Sequence, residues 1–317
     1  MFSYRTILKK SWHLAKERRS LWFLGFLSIA LASGGEYNII ANALGRDTLA
    51  GVNSVASIYG GRPSANSLVN HLGEVLRVSP EAFLWLIFLL LIVAGAFIFL
   101  LYIAVNSQCT LVRSSAKALS GKAKNSLDFK KEWQESKRNF WPVLSVDILM
   151  KAVVTGLFFI IGLPLLFMII NNGFLVSFAF SLLFVLLIPL SFAAALVGKY
   201  AIMYNLLSGL NFSRSVAAAW RLFKRNWLLS LEISFILFAI NFLAGFAVIA
   251  IAYCLIMLPL MIPPFLFFLM ANFILAFGIM VISGSVINVF QTAAWAEIFL
   301  RLQDGQAKSK IERLLAK

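Results

Sequence analysis

Long apolar runs alternate with short polar stretches along this chain. The runs cover approximately residues 21–44, 81–119, 140–170, 174–207, 227–258 and 265–302. Most exceed the roughly 20 apolar residues that cross a bilayer, which leaves room for tilt or for extension into the headgroup region. Membrane-spanning strands would be about 10 residues long with alternating polarity. These runs are continuously apolar, and backbone groups in lipid must be satisfied within the segment. The pattern therefore predicts an all-α, polytopic transmembrane bundle of six spans in one integral membrane domain, residues 1–317. The first run is the weakest, because Ser33-Gly34-Gly35-Glu36 interrupts it. Residues 45–80 form the one long polar connection. Asn171-Asn172-Gly173 marks a tight turn, Pro259, Pro263 and Pro264 separate the last two runs, and Pro164 and Pro189 should kink or end their helices.

The polar stretches share a plan. Each predicts a short basic amphipathic helix, at residues 4–18, 126–138, 212–225 and 308–316. Two internal copies read W-x-x-x-K-R-N-aromatic: Trp133, Lys137, Arg138, Asn139, Phe140, and Trp220, Lys224, Arg225, Asn226, Trp227. At the start of the chain Trp12 and Lys16 keep the spacing, but Glu17 breaks it. A glycine precedes each internal copy (Gly121, Gly209), and Gly305 holds the same place after the sixth run. Glycine ends a helix cheaply because it accepts left-handed geometry. Helical spacing puts Tyr4, Leu8, Trp12 and Ala15 on one face of the first lead-in helix. In the third it puts Phe212, Val216, Ala219, Trp220, Phe223 and Trp227 on one stripe, with Arg214, Arg221 and Arg225 on another. The expectation is three helical hairpins, each led in by a basic interfacial helix.

Composition agrees. The chain of 317 residues is 61% hydrophobic and 13% charged, with mean hydropathy +0.88, whereas soluble domains are about 45–50% apolar and 25% charged. The net charge of +15 sits where apolar runs begin or end, a membrane-surface pattern that argues against nucleic acid. All Lys and Arg except Arg46, Arg62, Arg77 and Lys151 fall on one side of the six-span arrangement, so both termini are expected in the cytoplasm. A rival for the opening is a cleaved signal peptide, with Ala30-Leu31-Ala32 as the small-residue site. The repeated basic preamble inside the chain favours a retained span. Cys109 and Cys254 lie within apolar runs and fit small hydrophobes, with no disulfide or metal framework.

Ionisable groups inside spans are functional candidates. Asp147 and Lys151 are spaced to pair along one helix, and Glu232 holds nearly the place of Asp147 in the repeat. Arg113 and Glu297 each stand eight residues before a terminating glycine, and the expectation is that they pair across a helix interface. In the last run Gly284, Asn288 and Gln291 share a face that either lines a polar path or glues helices together, the commoner role. The simpler view of Asp147, Glu232, Arg113 and Glu297 is that they snorkel to the nearby interface. No G-x-S-x-G, H-E-x-x-H or P-loop is present, and no acid pair neighbours a histidine.

The opening Y-R-T-I-L-K-K-S-W-H-L-A-K, L-W-F-L-G-F-L and S-G-G, and the internal A-W-R-L-F-K-R-N-W, resemble a family of uncharacterised bacterial membrane proteins. They are also similar to the membrane domain attached to some glycerophosphodiester phosphodiesterases. The resemblance implies a six-helix bacterial membrane domain. It implies no phosphodiesterase activity, which belongs to a separate TIM barrel of about 250 residues, and no catalytic residue carries over. The expected protein is non-enzymatic, without cofactor or metal, in the bacterial cytoplasmic membrane. Its partners are membrane lipids, anionic on the cytoplasmic face, met by Trp12, Lys16, Trp133, Lys137, Arg138, Trp220, Lys224 and Arg225. The alternative is a transporter, channel or lipid scramblase with Asp147, Glu232, Asn288 and Gln291 on its path.

Overall fold

In a computed structural model of the chain, the described residues are 4–29, 80–121, 129–170, 174–260 and 266–305. Among them are nine helices and no strand: α1 (Tyr4–Glu17), α2 (Ser20–Ser28), α3 (Pro80–Leu119), α4 (Phe129–Arg138), α5 (Phe140–Ile170), α6 (Phe174–Ser208), α7 (Phe212–Arg225), α8 (Trp227–Leu260) and α9 (Leu266–Gln303). Five of them, α3, α5, α6, α8 and α9, contain stretches long and apolar enough to cross a membrane. By length and composition this is a multi-pass helical membrane protein. The predicted first span beyond residue 29, the connection 45–80, the turn 171–173, Pro263 with Pro264 and the helix at 308–316 lie outside the described residues. Neither Pro164 nor Pro189 ends its helix, since α5 and α6 run through them. Such prolines are tolerated where neighbouring groups satisfy the freed carbonyls.

The chain divides into two units, Met1–Tyr37 with Ile103–Lys317, and Asn38–Tyr102. In the larger unit α5 packs against α6 and α8 against α9. Helices α1 and α2 both pack on α9, and α7 lies along α6 and touches α5 and α8.

The joints between lead-in helix and span follow one backbone scheme. The Asn226 amide donates to the carbonyls of Leu222 and Phe223, closing α7, while its own carbonyl accepts from Ser230 N at 3.0 Å and opens α8. Asn139 does the same between Ser136 O (3.0 Å) and Val143 N (3.2 Å). Arg18 stands six residues after its Trp, as the two asparagines do. Its amide donates to Leu14 O (3.1 Å) and its carbonyl accepts from Leu21 N (3.0 Å). The first copy is therefore in structural register although its sequence departs from the others. Gly121, Gly209 and Gly305 have φ of 70°, 64° and 69°. A Cβ at any of them would meet nothing within 4 Å, so the left-handed backbone, not crowding, calls for glycine.

The lead-in helices each bury one face on the protein. In α1 the buried residues are Ile7, Ser11, Leu14 and Ala15, and in α7 they are Ser215, Ala219 and Leu222. Trp12 and Trp220, expected at headgroup depth, are 53% and 52% exposed. The buried faces mix small residues, which let backbones approach closely, with Ile and Leu.

Candidate functional site

Most of the charge lies near the end of the bundle where α1, α4 and α7 sit, here called the basic end. Several of its carboxylates have partners within the protein. Glu132, 5% exposed, pairs with Lys117. Asp147 and Lys151 pair along α5 at 2.7 Å. Arg113 and Glu297 do not meet. Arg113 donates to the Glu135 carboxylate at 3.0 Å and to its backbone carbonyl at 3.2 Å. Glu297, also 5% exposed, accepts from Arg301 Nε and Nη2 at 2.9 and 2.7 Å, with Lys10 Nζ at 3.6 Å. Both candidates occupy the same place in the repeat, so each faces a lead-in helix, α4 for Arg113 and α1 for Glu297, rather than the other. Tyr4 donates to Glu232. Glu232 and Glu297 thus fasten α1 across the α8/α9 pair.

Asn288 fastens α2 to α9. Its Nδ2 donates to Gly25 O and to Ser28 Oγ, both at 2.8 Å. The helices are close there: a Cβ on Gly25 would stand 2.7 Å from Ser285 O and 2.8 Å from Val289 Cγ2. Gln291 lines two clefts of about 390 and 360 Å³ flanking the contact between α8 and α9. Gly284, Asn288 and Gln291 line the larger one together.

Sequence reasoning missed two residues. Asn241 of α8 lines both clefts opposite Gln291; its signal was a lone amide in an otherwise apolar run. Lys199 was counted with a polar connection, yet it lies inside α6, with Nζ 4.8 Å from the centroid of the Trp295 ring. Trp295 in turn meets Tyr200 edge-on at 6.0 Å, and the Tyr200 hydroxyl lies 2.8 Å from Ser230 Oγ. This cluster joins α6, α8 and α9.

The outer surface of the basic end is cationic. Lys16, Lys137, Arg138, Arg214, Arg221, Lys224 and Arg225 are exposed. Trp12 and Trp220 are exposed beside them, Trp141 and Trp227 stand exposed at 73% and 55% where α5 and α8 begin, and Trp133 is half-buried. Among the described residues no group of three or more His, Cys, Asp or Glu comes together. No family model, curated protein or solved structure matches this chain.

Proposed function

We propose that this is a non-enzymatic, six-span protein of the bacterial cytoplasmic membrane that organises the membrane or envelope by contacting anionic lipid. In this reading it has three hairpins and both termini in the cytoplasm. One observation carries it: Glu132, Glu135 and Glu297 are held in internal pairs, while Lys16, Lys137, Arg138, Arg214, Arg221, Lys224 and Arg225, with Trp12 and Trp220, remain outward. Each cation near an anionic surface contributes roughly 1 kcal/mol, and tryptophan favours headgroup depth. Each internal pair is neutral, so the excess of basic residues is left to the outward face.

The test is lipid retention. Native mass spectrometry of protein purified from mixed phosphatidylethanolamine and phosphatidylglycerol should find phosphatidylglycerol enriched over bulk. The variant with Lys137, Arg138, Lys224 and Arg225 all changed to Gln should lose most of that enrichment. Equal retention of both lipids by the unaltered protein would overturn the reading.

Transport is the second reading, and the clefts around Asn241 and Gln291 favour it. Against it, residues assigned to a path are held by protein partners: Asp147 by Lys151, Glu232 by Tyr4, and Asn288 by Gly25 and Ser28. Lipid or proton flux through proteoliposomes that disappears in Glu232→Gln would make transport the better account.

A further inference from the structure

We propose that the cleft beside Trp12 holds one anionic glycerophospholipid, an acyl chain between α8 and α9 and the headgroup against α1. This rests on the lipid-contact reading and deepens it from a surface to a site. The cleft measures about 360 Å³ and is walled by Ile240, Ala244, Ala247, Ile282 and Val286, with Asn241 and Gln291 as its amides. That volume falls within the usual range for a small-molecule site, about 300–1,000 Å³. A protein helix about 10 Å across would fill it within roughly one turn, whereas an extended hydrocarbon chain fits along it.

The rim supplies the charge. Trp12 lines the cleft and stacks edge-on with Phe290 at 5.9 Å. Lys9 and Lys16, three residues before and four after Trp12, lie on the same side of α1, and both are exposed. Lys10 is committed to Glu297, so Lys9 and Lys16 are the cations that meet a phosphate. Gln291 stands six residues along α9 from Glu297, about 9 Å deeper. Gln291 and Asn241 line the cleft at the depth of the ester region of a lipid whose phosphate reaches Lys16. Ala244 and Ala247 are the small residues of the cleft's α8 wall. In the adjoining cleft a Cβ on Gly245 would meet nothing within 4 Å, so no neighbouring side chain imposes the small residue there.

The experiment uses the full chain in nanodiscs carrying a trace of phosphatidylglycerol with a diazirine in its acyl chain. The expected result is crosslinking concentrated at residues 240–247 and 282–287, competed by unlabelled phosphatidylglycerol but not by phosphatidylcholine. Ala247→Phe, at an exposed wall position, should lower it about tenfold, the effect of overfilling a packed site. Ala244→Phe is the second variant should the first repack. Lys9→Gln with Lys16→Gln should remove the competition preference while the labelled peptides stay the same. Labelling no stronger than at the outward positions Phe273 and Phe277, or insensitive to both Phe variants, would overturn the site. Labelling competed equally by both lipids would overturn its anionic character. The Gln variants of α4 and α7 separate the two proposals, because they should remove most of the general phosphatidylglycerol enrichment and leave the cleft labelling intact.

Discussion

Residues 84–100 of α3 are exposed all round except at Ala94, whereas residues 104–116 of the same helix are almost all buried. The first stretch is Leu, Ile, Phe and Val with Gly95 among them; the second carries Asn106, Ser107, Thr110, Ser114 and Ser115, all 0–2% exposed. The same contrast holds in the larger unit. Phe242, Phe246, Ile249, Phe273 and Phe277 face outward on α8 and α9, while Leu229, Ile233, Val289, Trp295 and Phe299 are buried nearer the basic end. Length explains the division. A helix of 40 residues is about 60 Å long, and the hydrocarbon core is about 30 Å thick. Half of such a helix needs only to be apolar. The other half lies where polar side chains are affordable, and there helix recognises helix.

That contrast makes graded predictions. Glu297 is the buried member of a cluster whose cations are partly exposed, so Glu297→Ala, which removes its charged hydrogen bonds, should cost about 2–3 kcal/mol in reversible unfolding by denaturing detergent. Gly25→Ala places a methyl against Ser285 O and should cost about 2 kcal/mol by overpacking, loosening α2 from α9. Gly209→Ala puts a side chain on a left-handed residue with room to spare and should cost about 1 kcal/mol, with Gly121→Ala and Gly305→Ala similar. At the far half, Phe97→Leu or Phe246→Leu should stay within about 0.5 kcal/mol. A loss at Phe97 as large as that at Glu297 would erase the distinction between the halves.

The sequence made the basic helices, the terminating glycines and the Asp147–Lys151 pair legible, because each depends on local spacing. It misjudged partners set by tertiary geometry. Hydropathy treats residues 84–100 and 104–116 of α3 as one span, and nothing local tells lipid from protein as the neighbour. The stripe of α7 was drawn by helical spacing through Phe212, Val216, Ala219, Trp220, Phe223 and Trp227. Spacing alone did not show that Ser215, Ala219 and Leu222 would be the residues buried on the protein. Arg113 and Glu297 stood at matching places and so looked like partners, although a repeat gives equivalent places equivalent neighbours rather than each other. Lys199 and Asn241 were single polar residues whose surroundings only packing defines.

The measurement that tests the account most directly is the depth of α7. Spin labels would be placed singly at positions 214, 217, 220 and 223 of the full chain, in bilayers with and without anionic lipid. The account predicts that labels replacing Trp220 and Phe223 collide with oxygen and are shielded from a water-soluble nickel complex, while the label at Arg214 shows the reverse. It also predicts that shielding weakens when anionic lipid is withdrawn. Equal access of the nickel complex to all four positions, unchanged by lipid charge, would contradict it.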